Sequence, residues 1–215
     1  MIKISPSILN VKPDEIEKKV RSLDFAGADY IHVDVMDGNY VPNTSFGPST
    51  IQHLRKITSK VLDVHLMISP VKPQIQDFIE SGSDIISFHP EADKDPIEII
   101  NTINQSKIKS GIAIHPKTQI DDIKKFLPYV DQIIVMTVLP GFGGQKFLTD
   151  QVFKIKILYD LRNEYNYHYK ISVDGGINNL TSKECIQNGV DILAVGSYLL
   201  SKDISEYNKL IDALR

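Results

Sequence analysis

Three short segments repeat one pattern: Ala26-Gly27-Ala28-Asp29-Tyr30-Ile31, Ser81-Gly82-Ser83-Asp84-Ile85-Ile86 and Asn188-Gly189-Val190-Asp191-Ile192-Leu193. In each, a helix-periodic run stops at a glycine suited to a left-handed cap, and an acidic residue then leads into a β-rich apolar run. Pro128-Tyr129-Val130-Asp131-Gln132-Ile133 follows the same course without the glycine. One helix-to-strand joint used this often implies a βα unit repeated along the chain.

Eight β-like runs can be counted, near Ile2–Ser5, Tyr30–Met36, Val61–Met67, Ile85–Phe88, Lys109–Ile114, Gln132–Thr137, Tyr169–Asp174 and Ile192–Val195. Helical runs fall between them, among them Pro13–Ala26, Lys72–Glu80, Ile97–Asn104, Asp121–Phe126 and Asp150–Glu164. The alternation predicts an α/β chain folded as a (β/α)₈ TIM barrel, one catalytic domain over residues 1–215, toward the compact end of that fold's usual range of roughly 200 to 400 residues. The alternative is a doubly wound open sheet, but no glycine-rich dinucleotide fingerprint follows the first strand.

A net charge of −3 with dispersed lysines gives no general pull toward nucleic acid or an anionic membrane, so an anionic ligand must be held locally. No apolar run is long enough to span a bilayer, and Met1-Ile2-Lys3-Ile4-Ser5-Pro6 lacks the features of a signal peptide, so a cytoplasmic location is expected. The single cysteine, Cys185, sits in the helix-like run Thr181–Asn188 and reads as a packing residue.

In such a barrel the C-terminal ends of the strands form the active face. There the sequence places Ser7 after the first strand, His32, Asp34 and Met36 on the second, His65 and Met67 at the end of the third, and His89 and His115 after the fourth and fifth. Met136 and Thr137 end the sixth, Asp174 ends the seventh, and Gly196-Ser197 follow the eighth. In Ile31-His32-Val33-Asp34-Val35-Met36, the period of two turns the polar set to one face and the valines to the other.

His32, Asp34, His65 and Asp174 can converge from three strands, and two imidazoles with two carboxylates suit one borderline divalent ion: zinc, ferrous iron, manganese or cobalt. Asp63 shares a strand face with His65 and could orient a ligand. The two aspartates can also exchange protons with a carbon beside a carbonyl, one removing and the other returning a proton on the opposite face, while the metal stabilises the enediolate oxygen. Such a step inverts a stereocentre. Met36, Met67 and Met136 offer either adaptable core packing or a non-ionisable wall for a flat intermediate. Three glycine-containing loops, Pro140 to Phe147, Asp174 to Ile177 and Val195 to Tyr198, are suited to surround a phosphate. The first of them, and Gly38–Phe46, are candidate lids.

These segments resemble those of the ribulose-phosphate 3-epimerases. The match is carried by Ser5-Pro6-Ser7-Ile8-Leu9, His32-Val33-Asp34-Val35-Met36-Asp37-Gly38 with Val41-Pro42-Asn43, and Asp63-Val64-His65-Leu66-Met67. It continues through Met136-Thr137-Val138, Pro140 to Phe147, Val173-Asp174-Gly175-Gly176-Ile177 and Val195-Gly196-Ser197. The resemblance implies interconversion of D-ribulose 5-phosphate and D-xylulose 5-phosphate in the pentose phosphate pathway, one divalent metal ion per subunit, and a homo-oligomer. It implies His32, Asp34, His65 and Asp174 as metal ligands, with Asp34 and Asp174 as the acid/base pair. It assigns substrate contacts to Ser7, His65, Gly141, Phe142, Gly143, Gly144, Gly175, Gly176, Gly196 and Ser197. Leu139 stands where many relatives have a polar residue, and His115 where Asn or Lys often precedes the proline; His115 is expected to be a bystander to the metal. The competing readings are an epimerase of a ketose phosphate one carbon longer, allulose 6-phosphate, a related barrel lyase or synthase, and a non-catalytic sugar-phosphate-binding barrel.

Overall fold

The computed structural model describes residues 1–215. Its strands are β1 (Lys3–Pro6), β2 (Tyr30–Met36), β3 (Val61–Met67), β4 (Ile85–Phe88), β5 (Lys109–Ile114), β6 (Gln132–Met136), β7 (Lys170–Asp174) and β8 (Ile192–Val195). The helices that follow them are α1 (Ile16–Phe25), α2 (Pro48–Ile57), α3 (Ile75–Glu80), α4 (Pro96–Gln105), α5 (Ile120–Ile123), α6 (Val152–Tyr165), α7 (Thr181–Gln187), α8 (Ser197–Leu200) and α9 (Tyr207–Asp212). All strand pairs are parallel, in the order β1-β8-β7-β6-β5-β4-β3-β2, and the two ends of the sheet meet at a parallel bridge between Ser7 and His32. This is the (β/α)₈ barrel; the open-sheet alternative is excluded by that closure.

The repeated joint has one geometry. Gly27, Gly82 and Gly189 take φ of 90°, 97° and 99°, a left-handed region that glycine enters without steric cost. The aspartate two residues later then bonds twice to the strand before it. Asp29, Asp84, Asp131 and Asp191 each donate their N–H to the carbonyl of Ile4, Leu62, Ser110 and Ile171, respectively. Their carboxylates accept the N–H of those same four residues at 2.8–3.1 Å. The motif therefore seals the lower ends of β1, β3, β5 and β7 against their neighbours, including the joint that lacks a glycine.

The valines of β2, Val33 and Val35, face outward into a cluster of 50 buried residues between barrel and helices, while His32, Asp34 and Met36 face inward. Helix boundaries depart from the sequence reading where proline intervenes. The run Asp121–Phe126 is not one helix: α5 ends at Ile123 and a 3₁₀ segment covers Lys124–Tyr129, because Pro128 has no N–H to give and its ring crowds the carbonyl four residues earlier. The helix placed at Lys72–Glu80 starts at Ile75, since the residue before Pro73 is kept out of helical conformation. The N-terminal turns at Pro13–Glu15 and Thr149–Gln151 are 3₁₀ rather than α.

Candidate active site

The register of β2 on β3 sets His32 beside Asp63, Asp34 beside His65 and Met36 beside Met67. His32 is fully buried, and its Nδ1–H donates to Asp63 Oδ2 at 2.9 Å. In the neutral ring that bond leaves Nε2 as a lone-pair atom, 3.3 Å from Asp34 Oδ1 and 3.9 Å from Asp174 Oδ2, with no hydrogen-bond partner. Asp63 is itself fixed by Ser5 Oγ and Gln132 Nε2. It orients His32 on the neighbouring strand rather than His65 on its own.

His65, also fully buried, turns Nδ1 to Asp34 Oδ1 at 3.2 Å and to Asp174 Oδ2 at 3.7 Å. Its Nε2 lies 3.0 Å from His89 Nε2. Asp34 uses its other oxygen to accept from Ser7 Oγ at 2.6 Å, and its strand segment is held by Ser45, whose Oγ donates to the Asp34 carbonyl and accepts from Met36 N–H. One donor atom from each of His32, Asp34, His65 and Asp174 falls within 4.8 Å of all the others. The orphaned His32 nitrogen, a second imidazole nitrogen and two carboxylate oxygens are the donor set that a divalent cation takes. This cluster could hold a metal ion.

The two aspartates differ in charge preference. Burial pushes Asp34 upward, but the nearby imidazoles of His32 and His65 outweigh it and hold the carboxyl well below its ordinary value. Asp174, at the top of β7 and 15% exposed, is pushed up to about 6 by burial and by the charge of Asp34. His32 is raised well above its ordinary value: burial opposes its charge, but Asp34 and Asp63 favour it more strongly. Titratable groups with such divergent surroundings are the pattern of an acid/base site.

Above this cluster lies a cleft lined by Ser7, Asp34, Asp174, Met36, Met67 and Met136. Its far wall is Gly141 to Gly144, Gly175, Gly176, Gly196 and Ser197. Of the residues expected to act on substrate, metal or intermediate, all line the cleft except His32 and His65, which are fully buried; Asp63, His89, His115 and Thr137 do not line it. Met36 and Met67 pack with Val41, Tyr40 and Leu9 on one side, and Met136 with Ala113, Ile134 and Val138 on the other. Gly176 has φ 66°, and a Cβ there would stand 2.7 Å from the Phe147 nitrogen, so no side chain fits where this loop passes the next. The two lid candidates touch, with Asn43 Nδ2 donating to the Gly141 carbonyl at 2.9 Å. Asn10 and Ser201 also line the cleft, although nothing in their spacing marked them, as does Gln145 of the Pro140 to Phe147 loop. Leu139 sits exposed on the rim. His115 lies outside the cluster, its Nδ1 accepting from the Lys117 N–H.

Residues 3–200 match the model of the ribulose-phosphate 3 epimerase family. The chain belongs to this family. A Bacillus subtilis protein named ribulose-phosphate 3-epimerase is 37% identical over 216 residues, covering 100% of this chain and 99% of that one. The chloroplastic ribulose-5-phosphate-3-epimerase of Arabidopsis thaliana is 40% identical over 214 residues, covering 98% of this chain and 76% of its own. Among solved structures, a 3-keto-L-gulonate-6-phosphate decarboxylase from Vibrio cholerae superposes with a TM-score of 0.75 at 16% identity, over 100% of this chain and 95% of the other. At that identity the likeness is one of barrel fold alone.

Proposed function

We propose that this member of the family interconverts D-ribulose 5-phosphate and D-xylulose 5-phosphate by moving the proton on carbon 3. The observation that carries the reading is the Asp34 and Asp174 pair. They enter the cluster from β2 and β7, strands separated in the barrel by β1 and β8, and their surroundings shift the two carboxyls in opposite directions from the ordinary value. Asp34, kept ionised, accepts the proton from carbon 3. Asp174, the more readily protonated of the two, returns one to the other face, and the reverse reaction exchanges the roles. Ser7 steadies the unshared oxygen of Asp34 so that one oxygen stays aimed at the cluster. Met36, Met67 and Met136 flank the flat intermediate without offering it a proton, and the glycine loops of the far wall hold the phosphate by backbone N–H groups.

His32 Nε2, His65 Nδ1 and one oxygen each of Asp34 and Asp174 are the atoms that would hold a divalent cation. Bound there, zinc, ferrous iron, manganese or cobalt supplies positive charge where negative charge develops next to the reacting carbon. A cytoplasmic location belongs to the same proposal, and no helix is long and apolar enough to cross a membrane. Assembly as a homo-oligomer of this single catalytic domain is part of the same reading, and the exposed pair Phe153 and Ile157, one turn apart on α6, supports it. The test is proton NMR in D₂O with D-ribulose 5-phosphate and metal-loaded protein. Deuterium should enter carbon 3 as D-xylulose 5-phosphate accumulates; absence of both, with metal content verified, refutes the proposal.

A further inference from the structure

The two histidines of the cluster are supported differently. Behind His32 stands a carboxylate, Asp63; behind His65 stands another imidazole, His89, fully buried at the end of β4. Its ring stacks under Tyr40 at 4.6 Å between centroids, and its Nδ1 faces Glu91 Oε1 at 3.6 Å. The Tyr40 hydroxyl donates to that same Glu91 oxygen at 2.9 Å.

A hydrogen bond between two imidazole nitrogens needs one donor and one acceptor, so the 3.0 Å contact between the Nε2 atoms admits only two arrangements of neutral rings. If His89 donates, His65 Nε2 is the acceptor and the His65 proton lies on Nδ1, the atom that faces Asp34 and Asp174. A protonated Nδ1 has no lone pair for a cation. If His65 donates, its Nδ1 is free to ligate, and the proton of His89 is displaced to Nδ1, the atom turned to Glu91. The Glu91 carboxylate favours the second arrangement because it attracts an N–H and offers none.

We propose that His89 is a positioning residue that selects the ligating tautomer of His65, and that Glu91, held by Tyr40, selects the tautomer of His89. This rests on the metal reading above and adds residues of the segments after β4 and after β2 to it. His89 touches neither substrate nor metal; its effect is on where the His65 proton resides. Partners behind a ligand histidine are commonly worth about 10- to 100-fold in metal affinity.

The test is a titration of metal-free protein with Zn²⁺ against a chromophoric chelator. Wild type should bind one equivalent. The His89→Phe variant, which keeps a planar ring under Tyr40 but removes the acceptor, should bind about 10- to 100-fold more weakly. The His89→Gln variant, whose amide oxygen can accept from His65 Nε2–H, should recover most of that loss. Wild-type affinity in a folded His89→Phe variant overturns the proposal and leaves the metal reading intact, whereas absence of Zn²⁺ binding by wild type overturns both. Should His89→Phe fail to fold, nitrogen-15 NMR of Zn²⁺-loaded wild type decides: protons on His65 Nε2 and His89 Nδ1 support the assignment, and a proton on His89 Nε2 overturns it.

Discussion

At the scale of single residues, the assignment of chemistry to Asp34 and Asp174 makes a direct prediction. Asp34→Asn and Asp174→Asn keep shape and lose the exchangeable carboxyl, so each should lower kcat by about 10²- to 10⁴-fold. Both side chains sit at the C-terminal ends of strands, away from the joints that seal the barrel, and circular dichroism should show a folded protein in each case. A readout by solvent exchange separates the two. With one aspartate replaced, the remaining carboxyl should still exchange the proton of one epimer with D₂O faster than it forms the other epimer. Near-normal turnover in either variant rules out the two-base assignment. Ser7→Ala should be milder, because it removes one hydrogen bond to Asp34 and leaves both histidine contacts in place.

At the scale of elements, the helix-to-strand joint explains why the strands were legible in the sequence. Ile85–Phe88, Lys109–Ile114 and Ile192–Val195 are bounded as read, because apolar β-rich runs between punctuating residues carry strong local information. The glycines of the joint separate two costs. At Gly27 an added Cβ meets nothing within 4 Å, so Gly27→Ala should cost only the strain of its left-handed φ, about 1–2 kcal/mol. At Gly189 the same Cβ would fall 2.3 Å from the Tyr159 ring, so Gly189→Ala should add an overpacking cost of about 1–3 kcal/mol. Urea unfolding of the two variants should rank Gly189→Ala well below Gly27→Ala, and equal losses would contradict the packing at Tyr159. The candidate site was also readable, as alternating polar residues on strand ends. What was not readable lies across strands: the Asp63 to His32 bond depends on β2–β3 register, and the place of His89 behind His65 depends on β3–β4 packing. Neither relation leaves a spacing in the chain.

At the scale of the whole molecule, the closing seam is the distinctive joint. Neighbouring strands elsewhere form continuous ladders, but β1 and β2 share only the Ser7 to His32 bridge, with Ile8 N–H donating to the His32 carbonyl above and Asp29 bonding to Ile4 below. The upper fastening passes through Ser7 and Asp34, and so through the proposed chemistry. The lower one is purely structural: Asp29 accepts from Lys3 Nζ at 2.8 Å, Ile4 N–H at 3.0 Å and Arg215 at 3.0 Å, tying both ends of the chain to the start of β2. Burial raises the Asp29 carboxyl, yet these three donors outweigh it and hold it below its ordinary value. A carboxyl depressed in the folded state contributes stability above its unfolded value, near 3.9, and loses that contribution as pH falls through the folded value. Asp29→Asn should therefore lower the unfolding free energy by about 1–3 kcal/mol at pH 7, and the gap between wild type and variant should narrow as the pH is brought below about 4. Because Asp29 is at the opposite end of the barrel from the cleft, the variant should keep wild-type kcat where it remains folded. Urea titrations at pH 7 and pH 3 give the stability half of the prediction, and turnover at low temperature gives the other. A gap that widens on acidification would show that the Asp29 charge does not hold the seam.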